Sequence, residues 1–354
     1  MTTIKDVAAK AGVSVSTVSY ALNQNRPITD ATRERIMAAV RELGYTRNAA
    51  ARTLAGSRSY VLALILPPSD GGLGATIGQF IAGATEQAEA YGYSLVVWPF
   101  ANEESEKVER LVRERLADGV LVMEVALDDH RIEALEKAGT PFTMIGRTAD
   151  LVGRSWVDTD FDATVTDALA RLVALGHTHV ALINHSAARL DEQYGAAVRT
   201  RDAFLTESDR YGLSVQHIPC DDSPLAGQAA VAEVLGRDAA TSAFVTLNET
   251  ATFGVVSELA RRGRRIPDDV SVVGIVTSPV IATMSYLPLT SWQVPGHLIG
   301  ATAVHELIEV IAGEPRHDRL RLIPCIFAEG DSLAAAPKTV TSQNKTMVHS
   351  GPER

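Results

Sequence analysis

Cysteine is almost missing from this chain. Its two copies, Cys220 and Cys325, stand 105 positions apart and offer neither a metal-ligand spacing nor a disulfide framework, so two reduced thiols in a cytoplasmic protein are expected. Long apolar runs are missing too. The longest, Val61–Leu66, is closed by Pro67-Pro68 and has the length of a buried strand, far below the roughly 18–20 residues of a membrane span. The first residues, Met-Thr-Thr-Ile-Lys-Asp, pass straight into a polar helical pattern, and no export signal is expected. Reactive signatures are also lacking. There is no Gly-x-Ser-x-Gly and no His-Glu-x-x-His. Gly71-Gly72-Leu73-Gly74 has neither the spacing nor the lysine of a phosphate loop and reads as a loop at a cleft mouth. His177 and His179 flank a strand with no third ligand nearby, which favours a structural role. An enzyme, a metal site and a cofactor are therefore not expected.

What is present is a globular composition, 46% hydrophobic and 21% charged over 354 residues, enough for two or three domains. The net charge of −10 conceals an asymmetry. Residues 1–60 carry nine Lys/Arg against four Asp/Glu, a net +5, while the remainder carries 24 against 39, a net −15. A basic head on an acidic body suits a phosphate-seeking head.

The head reads as three short helices. Thr3 with Asp6 three positions on forms a capping arrangement, and Ile4, Val7, Ala8 and Ala11 then recur on one helical face. Gly12 stops that helix and Ser14 can cap the next, in which Val18, Ala21 and Leu22 face inward while Ser16, Ser19, Tyr20 and Asn23 face out. A third helix starts at Thr29, buries Ile36, Ala39, Val40 and Leu43, and ends at Gly44. Two helices joined by a glycine turn make a helix-turn-helix, and the second carries no acidic residue from Gly12 to Asn25, so it can lie against phosphates and base edges. The next segment, Asn48 to Gly56, has helix-forming alanines but is too short to stand alone, and Leu54 has little around it to bury it. A linker that turns helical only when paired with its twin on DNA accounts for both features.

These residues resemble the headpiece of the lactose-repressor/galactose-repressor (LacI/GalR) family. The resemblance rests on Ile4-Lys5-Asp6-Val7-Ala8, Ala11-Gly12-Val13-Ser14, Thr17-Val18-Ser19, Leu22-Asn23 and Arg41-Glu42-Leu43-Gly44-Tyr45, and it extends to about residue 330. It implies that Val15, Ser16 and Tyr20 read base edges and that Thr3, Ser14, Thr17, Ser19, Asn23, Thr29 and Tyr45 hold phosphates. Asn48 to Ala55 would be a hinge helix in which Asn48, Ala51 and Leu54 meet DNA, Leu54 wedging into the minor groove. The partner would be a pseudo-palindromic double-stranded operator bound by a homodimer.

Beyond Tyr60, β-rich runs alternate with helical segments. Val61–Leu66, Ser94–Trp98, Val120–Met123 and Phe142–Ile145 form one series, and Val180–Ile183, Val215–Ile218, Ala243–Thr246 and Ser271–Ile275 a second. Helices are expected near 77–91, 104–117 and 129–138. Such alternation gives parallel sheets, and two groups of four strands suggest two similar α/β subdomains with a ligand cleft at the strands' carboxyl ends. The resemblance agrees through Gly146-Arg147, Val157-Asp158-Thr159-Asp160 and Ile266-Pro267-Asp268-Asp269-Val270, and implies a periplasmic-binding-protein-like body. The expected organisation is a headpiece at 1–46, a hinge at 47–58, a body at 59–330 and a disordered tail at 331–354. Within the body, one subdomain takes about 60–157 and 291–318, and the other about 158–290 and 319–330.

The effector site departs from the family pattern. An arginine is expected three residues before a Gly-aromatic pair. Here the pair is Ala203-Phe204, the position holds Thr200, and arginines flank it at 199 and 201. The sugar-binding acid after Val273-Gly274 is replaced by Ile275-Val276-Thr277, and Glu249 stands for the usual aspartate beside Asn248. Valine cannot accept sugar hydroxyls, which argues against the usual monosaccharide pose. Asp160, Arg199, Arg201, Asn248 and Gln293 are the candidate contacts to a sugar or sugar derivative. A regulator, and most simply a repressor, is therefore expected. The rival from another class is a solute-binding sensor with the same body, which would have no use for the basic head.

Overall fold

The computed structural model describes residues 2–23, 28–45, 58–68, 74–284, 286–314 and 321–337. The chain divides into two compact units, Met1–Ser59 and Tyr60–Arg354. Asn48, Ala51 and Leu54 of the expected hinge, residues 71–73 of the glycine loop and residues 338–354 lie outside the described residues.

In the first unit, α1 (Ile4–Ala11), α2 (Val15–Asn23) and α3 (Asp30–Glu42) share a small core of Val7, Ala8, Ala11, Val18, Ala21, Ile36 and Ala39, with Ile4, Leu22, Val40 and Tyr45 packed against it. The Asp6 carboxylate accepts from the Thr3 backbone N–H at 2.7 Å and from its hydroxyl at 2.8 Å, which fixes the start of α1. Gly12, at φ 65°, turns the chain where a side chain would be strained. The Ser14 hydroxyl then accepts from Thr17 N–H at 3.1 Å and starts α2.

The second unit contains two six-stranded sheets. The first sheet is wholly parallel, built from β1 (Val61–Leu66), β2 (Ser94–Pro99), β3 (Gly119–Met123), β4 (Phe142–Ile145), β5 (Trp156–Thr159) and β11 (Leu322–Ile323), in the order β11-β5-β4-β3-β1-β2. The second uses β6 (His179–Asn184), β7 (Ser214–Pro219), β8 (Ala243–Thr246), β9 (Ser271–Thr277), β10 (Thr290–Gln293) and β12 (Ile326–Ala328), in the order β12-β10-β9-β8-β6-β7, with only β12 antiparallel. The helices between strands are α4 (Ala75–Ala90), α5 (Ser105–Arg113), α6 (His130–Lys137), α7 (Phe161–Ala174), α8 (Ala187–Asp191), α9 (Gly195–Tyr211), α10 (Pro224–Arg237), α11 (Glu249–Arg261), α12 (Pro279–Met284) and α13 (Gly296–Ala312).

Strands buried on both faces explain the continuous apolar runs. Along β1, Leu62, Leu64 and Leu66 enter the core beneath α4 and α13, while Ala63 and Ile65 enter the core on the opposite face. Helices α4 and α13 approach backbone to backbone. A Cβ on Gly83 would lie 1.9 Å from the His297 carbonyl oxygen, and one on Gly300 would lie 2.1 Å from that of Phe80.

The eight expected strands are all present, and each sheet adds two short ones that sequence periodicity did not show. Three of them correct the subdomain boundaries. β5 (156–159) and β11 (322–323) belong to the first sheet, whereas β10 (290–293) belongs to the second, so the chain crosses a few residues later than expected. Two to four residues of mixed polarity carry no period; their pairing is decided by the neighbouring strand.

Residues 331–337, expected to begin a disordered tail, are instead packed on the second sheet. Ser332 is fully buried, its hydroxyl donating to the Val272 carbonyl and accepting from Thr290 N–H at 2.8 Å. Ala336 N–H donates to Leu175 O at 2.8 Å. Short polar side chains here satisfy buried backbone groups, a role composition does not reveal. His177 bridges the Ser242 hydroxyl (2.8 Å) and the Ala334 carbonyl (3.0 Å), and His179 pairs with Asp238 at 2.6 Å, as a structural role requires. Within the basic run Arg261–Arg265, Arg261 and Arg262 pair with Glu258, and Arg265 pairs with Asp269.

Candidate functional site

Two sites emerge, one on each unit. On the first, the N-terminal end of α2 is the exposed one. Ser14, Val15 and Ser16 are open to solvent, with Val15 showing 41% of its surface, while Thr17, Ser19 and Tyr20 are half-buried. The Ser14 and Thr17 hydroxyls lie 2.8 Å apart over the first turn of α2, and neither charge sign occurs in that turn. Backbone N–H groups and the helix dipole make such an end favourable for a phosphate oxygen. Thr3 and Thr29 are exposed at the starts of α1 and α3, the Thr29 hydroxyl lying 2.8 Å from that of Thr32. Tyr45 is half-buried against the core. Asn23 closes α2, and its side chain lies outside the described residues.

On the second unit, a cleft of about 300 Å³ opens where the carboxyl ends of the two sheets meet. In doubly wound folds, ligands bind at such strand ends. The first subdomain contributes Thr76, Phe80, Glu124, Arg147 and Asp158, and the second contributes His185, Arg189, Tyr194, Arg199, Glu249 and Val276.

The chemistry concentrates on Arg147, Asp158 and Arg199. Asp158 is the next-to-last residue of β5, with its side chain 7% exposed, lying 3.7 Å from Arg147 Nη1 and 4.0 Å from Arg199 Nη1. These are charge contacts too long for hydrogen bonds, and both Arg147 Nη1 and Asp158 Oδ2 are buried without a hydrogen-bond partner. Burial pushes the Asp158 carboxyl up to about 6, against the pull of Arg147 and Arg199. Arg199 itself reaches across the cleft, donating to the carbonyls of Arg147 (2.8 Å) and Thr148 (3.3 Å). A buried donor and a buried acceptor side by side, each unsatisfied, are matched by one hydroxyl group, which can accept and donate at once.

A second link spans the cleft at Glu249. Its carboxylate accepts from the Thr76 hydroxyl at 2.8 Å and from Thr76 N–H at 3.4 Å in the first turn of α4, and from Ser278 N–H at 2.6 Å. One side chain of the second subdomain therefore caps a helix of the first. Val276 holds φ 53°, a costly conformation for a β-branched residue, and packs between the cores of both subdomains.

Of the five contacts expected from sequence, Arg199 and Asn248 line the cleft and three do not. Asp160 is spent capping α7, accepting from Ala163 N–H at 2.9 Å; Arg201 pairs with Asp202 at 2.8 Å; and the Gln293 amide donates to the Ser291 hydroxyl at 3.4 Å. Asn248 is fully used by the protein. Its amide donates to Cys220 O and Asp221 O, and its carbonyl oxygen caps α11 at Ala251 N–H, so it shapes the cleft wall rather than offering a free group. Thr200, at the position where an arginine was expected, is buried in the core. Sequence reasoning missed Glu124, Arg147, Asp158 and Arg189. Arg147 and Asp158 could have been found, because they stand two residues beyond β4 and at the next-to-last position of β5, at strand ends where ligand groups collect.

Comparison with known proteins places both units. A family model described as "Bacterial regulatory proteins, lacI family" matches residues 3–48, and one for a periplasmic binding protein-like domain matches residues 169–333. The chain is 30% identical over 351 residues to the HTH-type transcriptional regulator MalR of Streptomyces coelicolor, covering 95% of this chain and 98% of that one. It is 29% identical to the HTH-type transcriptional repressor PurR of Vibrio vulnificus, covering 90% and 94%. Among solved structures, the CelR–cellobiose complex is similar at 26% identity and TM-score 0.68, covering 94% of this chain and 100% of that one. The lac repressor dimer bound to operator and the anti-inducer ONPF shares the fold at TM-score 0.80 and 24% identity, covering 94% and 99%.

Proposed function

The chain belongs to the lacI family of bacterial regulatory proteins, and from that premise we propose that it is a homodimeric repressor which grips one pseudo-palindromic operator with two headpieces and answers to a small hydroxylated effector. The observation that carries the DNA half is the exposed, uncharged, hydroxyl-bearing start of α2. Val15, Ser16 and Tyr20 would read base edges, while Thr3, Ser14, Thr17, Ser19, Asn23, Thr29 and Tyr45 would hold phosphates. Asn48, Ala51 and Leu54 would form the hinge that opens the minor groove between half-sites. Exposed Val96 and Val97 on the edge strand β2 support dimerisation through the first subdomain. The protein acts in the cytoplasm by binding rather than by catalysis.

The effector is a sugar or sugar derivative whose hydroxyl answers the unsatisfied Arg147–Asp158 pair; the cellobiose bound by the similar CelR supports that class. Asp158 and Arg147 belong to one subdomain and Arg199 and Glu249 to the other, so a ligand touching both sets changes their relative placement and with it operator affinity. Coupling of this kind is worth about 1–3 kcal/mol.

Selection from a random duplex pool with the full-length protein at moderate salt tests the proposal. A two-fold symmetric site should emerge. Failure to enrich any site, with and without saccharides, would end the proposal.

A further inference from the structure

We infer that the effector enters and leaves the cleft on one face of the body only, past Glu249, while the opposite face stays fastened; this rests on the effector reading above. Two sets of links cross the cleft, and they lie on opposite faces. In the first sheet, α4 covers the face carrying Leu62 and Leu64, and α6 covers the face carrying Ala63 and Ile65. In the second, α11 covers the face carrying Ala181 and Ile183, and α9 covers the face carrying Val180 and Leu182. Glu249, the first residue of α11, reaches Thr76 in the first turn of α4. Val125 to Leu127, which lead toward α6, meet Gln193 to Gly195 at the start of α9.

The link between the α6 and α9 faces is made of backbone. Leu127 N–H donates to the Gln193 carbonyl at 2.8 Å, and Gly195 N–H donates to the Val125 carbonyl at 2.9 Å. Glu124 at φ 50° and Gln193 at φ 57° flank these bonds in left-handed conformations, which persist only where the surroundings enforce them. The chains approach so closely at Gly195 that a Cβ would lie 3.0 Å from the Val125 oxygen. Leu127 packs with Leu190, Ala197 and Val198, and the Glu124–Arg189 pair closes at 2.7 Å beside it. Val125, Ala126 and Gly195 are buried. Parting this face would strip buried backbone groups of their partners and expose apolar surface.

The link between the α4 and α11 faces is one side chain. Glu249 is anchored within its own subdomain by Ser278 N–H at 2.6 Å, so parting breaks only its bonds to Thr76, of 2.8 Å and 3.4 Å. Thr76, Glu249 and Thr250 line the cleft and are half-buried, so the groups freed there pass to water. Local opening follows the side with fewer buried contacts. Glu249 therefore governs how fast the effector comes and goes, a gating role separate from recognition at Arg147 and Asp158.

The test needs no effector. Ile145, at the end of β4, lines the cleft and is 6% exposed, so a cysteine placed there reports opening. Full-length Ile145→Cys protein is labelled with N-ethylmaleimide, and the parent gives the background from Cys220 and Cys325. Adding Glu249→Ala should raise the labelling rate about tenfold or more, as the loss of two hydrogen bonds implies. Thr76→Val, which removes one donor and no charge, should raise it less. Arg189→Met breaks the side-chain pair on the other face but not its backbone bonds, and should leave the rate within about twofold. Urea titration of each variant confirms that labelling takes place in the folded protein. An equal or larger gain from Arg189→Met, or rates unchanged by both Glu249→Ala and Thr76→Val, would overturn the one-sided route. Failure of the effector reading is seen separately, as absence of binding when glucose, maltose and cellobiose are titrated calorimetrically into the full-length parent.

Discussion

Replacing Asp158 with asparagine separates what this carboxylate costs the fold from what it gives the site. The group lies near the end of β5 with 7% of its side chain exposed, one oxygen lacks a hydrogen-bond partner, and its carboxyl lies at about 6 against an ordinary 3.8. The folded state therefore binds the proton more tightly than the unfolded chain, so between those two values stability rises as pH falls. Each tenfold change in proton affinity is about 1.4 kcal/mol, so keeping Asp158 ionised at pH 7.5 costs the ligand-free protein about 3 kcal/mol at most. Asparagine has nearly the same shape and no charge. Asp158→Asn should stabilise the ligand-free protein at pH 7.5 by an amount approaching that figure, and the gain should shrink to about 1 kcal/mol at pH 4.5, where the folded parent is protonated but the unfolded chain is still largely ionised. Urea denaturation of parent and variant at pH 4.5, 6 and 7.5, without ligand, measures both. Effector affinity should move the other way, falling tenfold or more in the variant and falling in the parent below pH 6. A variant less stable than the parent at pH 7.5, or a difference that does not change with pH, would refute the account of Asp158 as a strained, ligand-seeking acid.

Tyr20→Ala should change the preferred half-site bases in a selection experiment, by about 1–3 kcal/mol at the position read; an unchanged motif removes Tyr20 from base recognition. Leu54→Ala should weaken operator binding and reduce the bend measured by gel mobility of permuted fragments, and equal bending would dismiss the wedge. Arg131→Met removes one partner of a fully buried pair and should destabilise the protein by about 3–5 kcal/mol in urea titration. Glu249→Gln keeps the size but weakens the acceptor that ties Thr76 and Ser278 together. Its effect should appear as altered effector-dependent release of operator with unchanged affinity for DNA alone, and a variant that releases operator as the parent does would deny the cross-cleft link a role.

Much of the molecule was legible in the residues. Thr3 with Asp6, Gly12 and Ser14 specify where the first helix begins and ends and where the second begins through local hydrogen bonds and one backbone angle, and no distant contact is needed for them. The continuous apolar strands announced two sheets covered on both faces. What stayed hidden depends on partners remote in sequence. β11 and β12 are two and three residues long, and Ser332 is buried only because Val272 and Thr290 stand where they do.

The sequence by itself determined the basic head, its three helices and the strand–helix alternation of the body, because charge, caps and periodicity act over a few residues. The tertiary structure decided the ligand site. Only folding brings Arg199 of one subdomain within 4.0 Å of Asp158 in the other, leaves an oxygen there unsatisfied, and turns Asp160, Arg201 and Gln293 to other duties. A cleft is made by the meeting of two sheets, and no local pattern in either one records what the other presents to it.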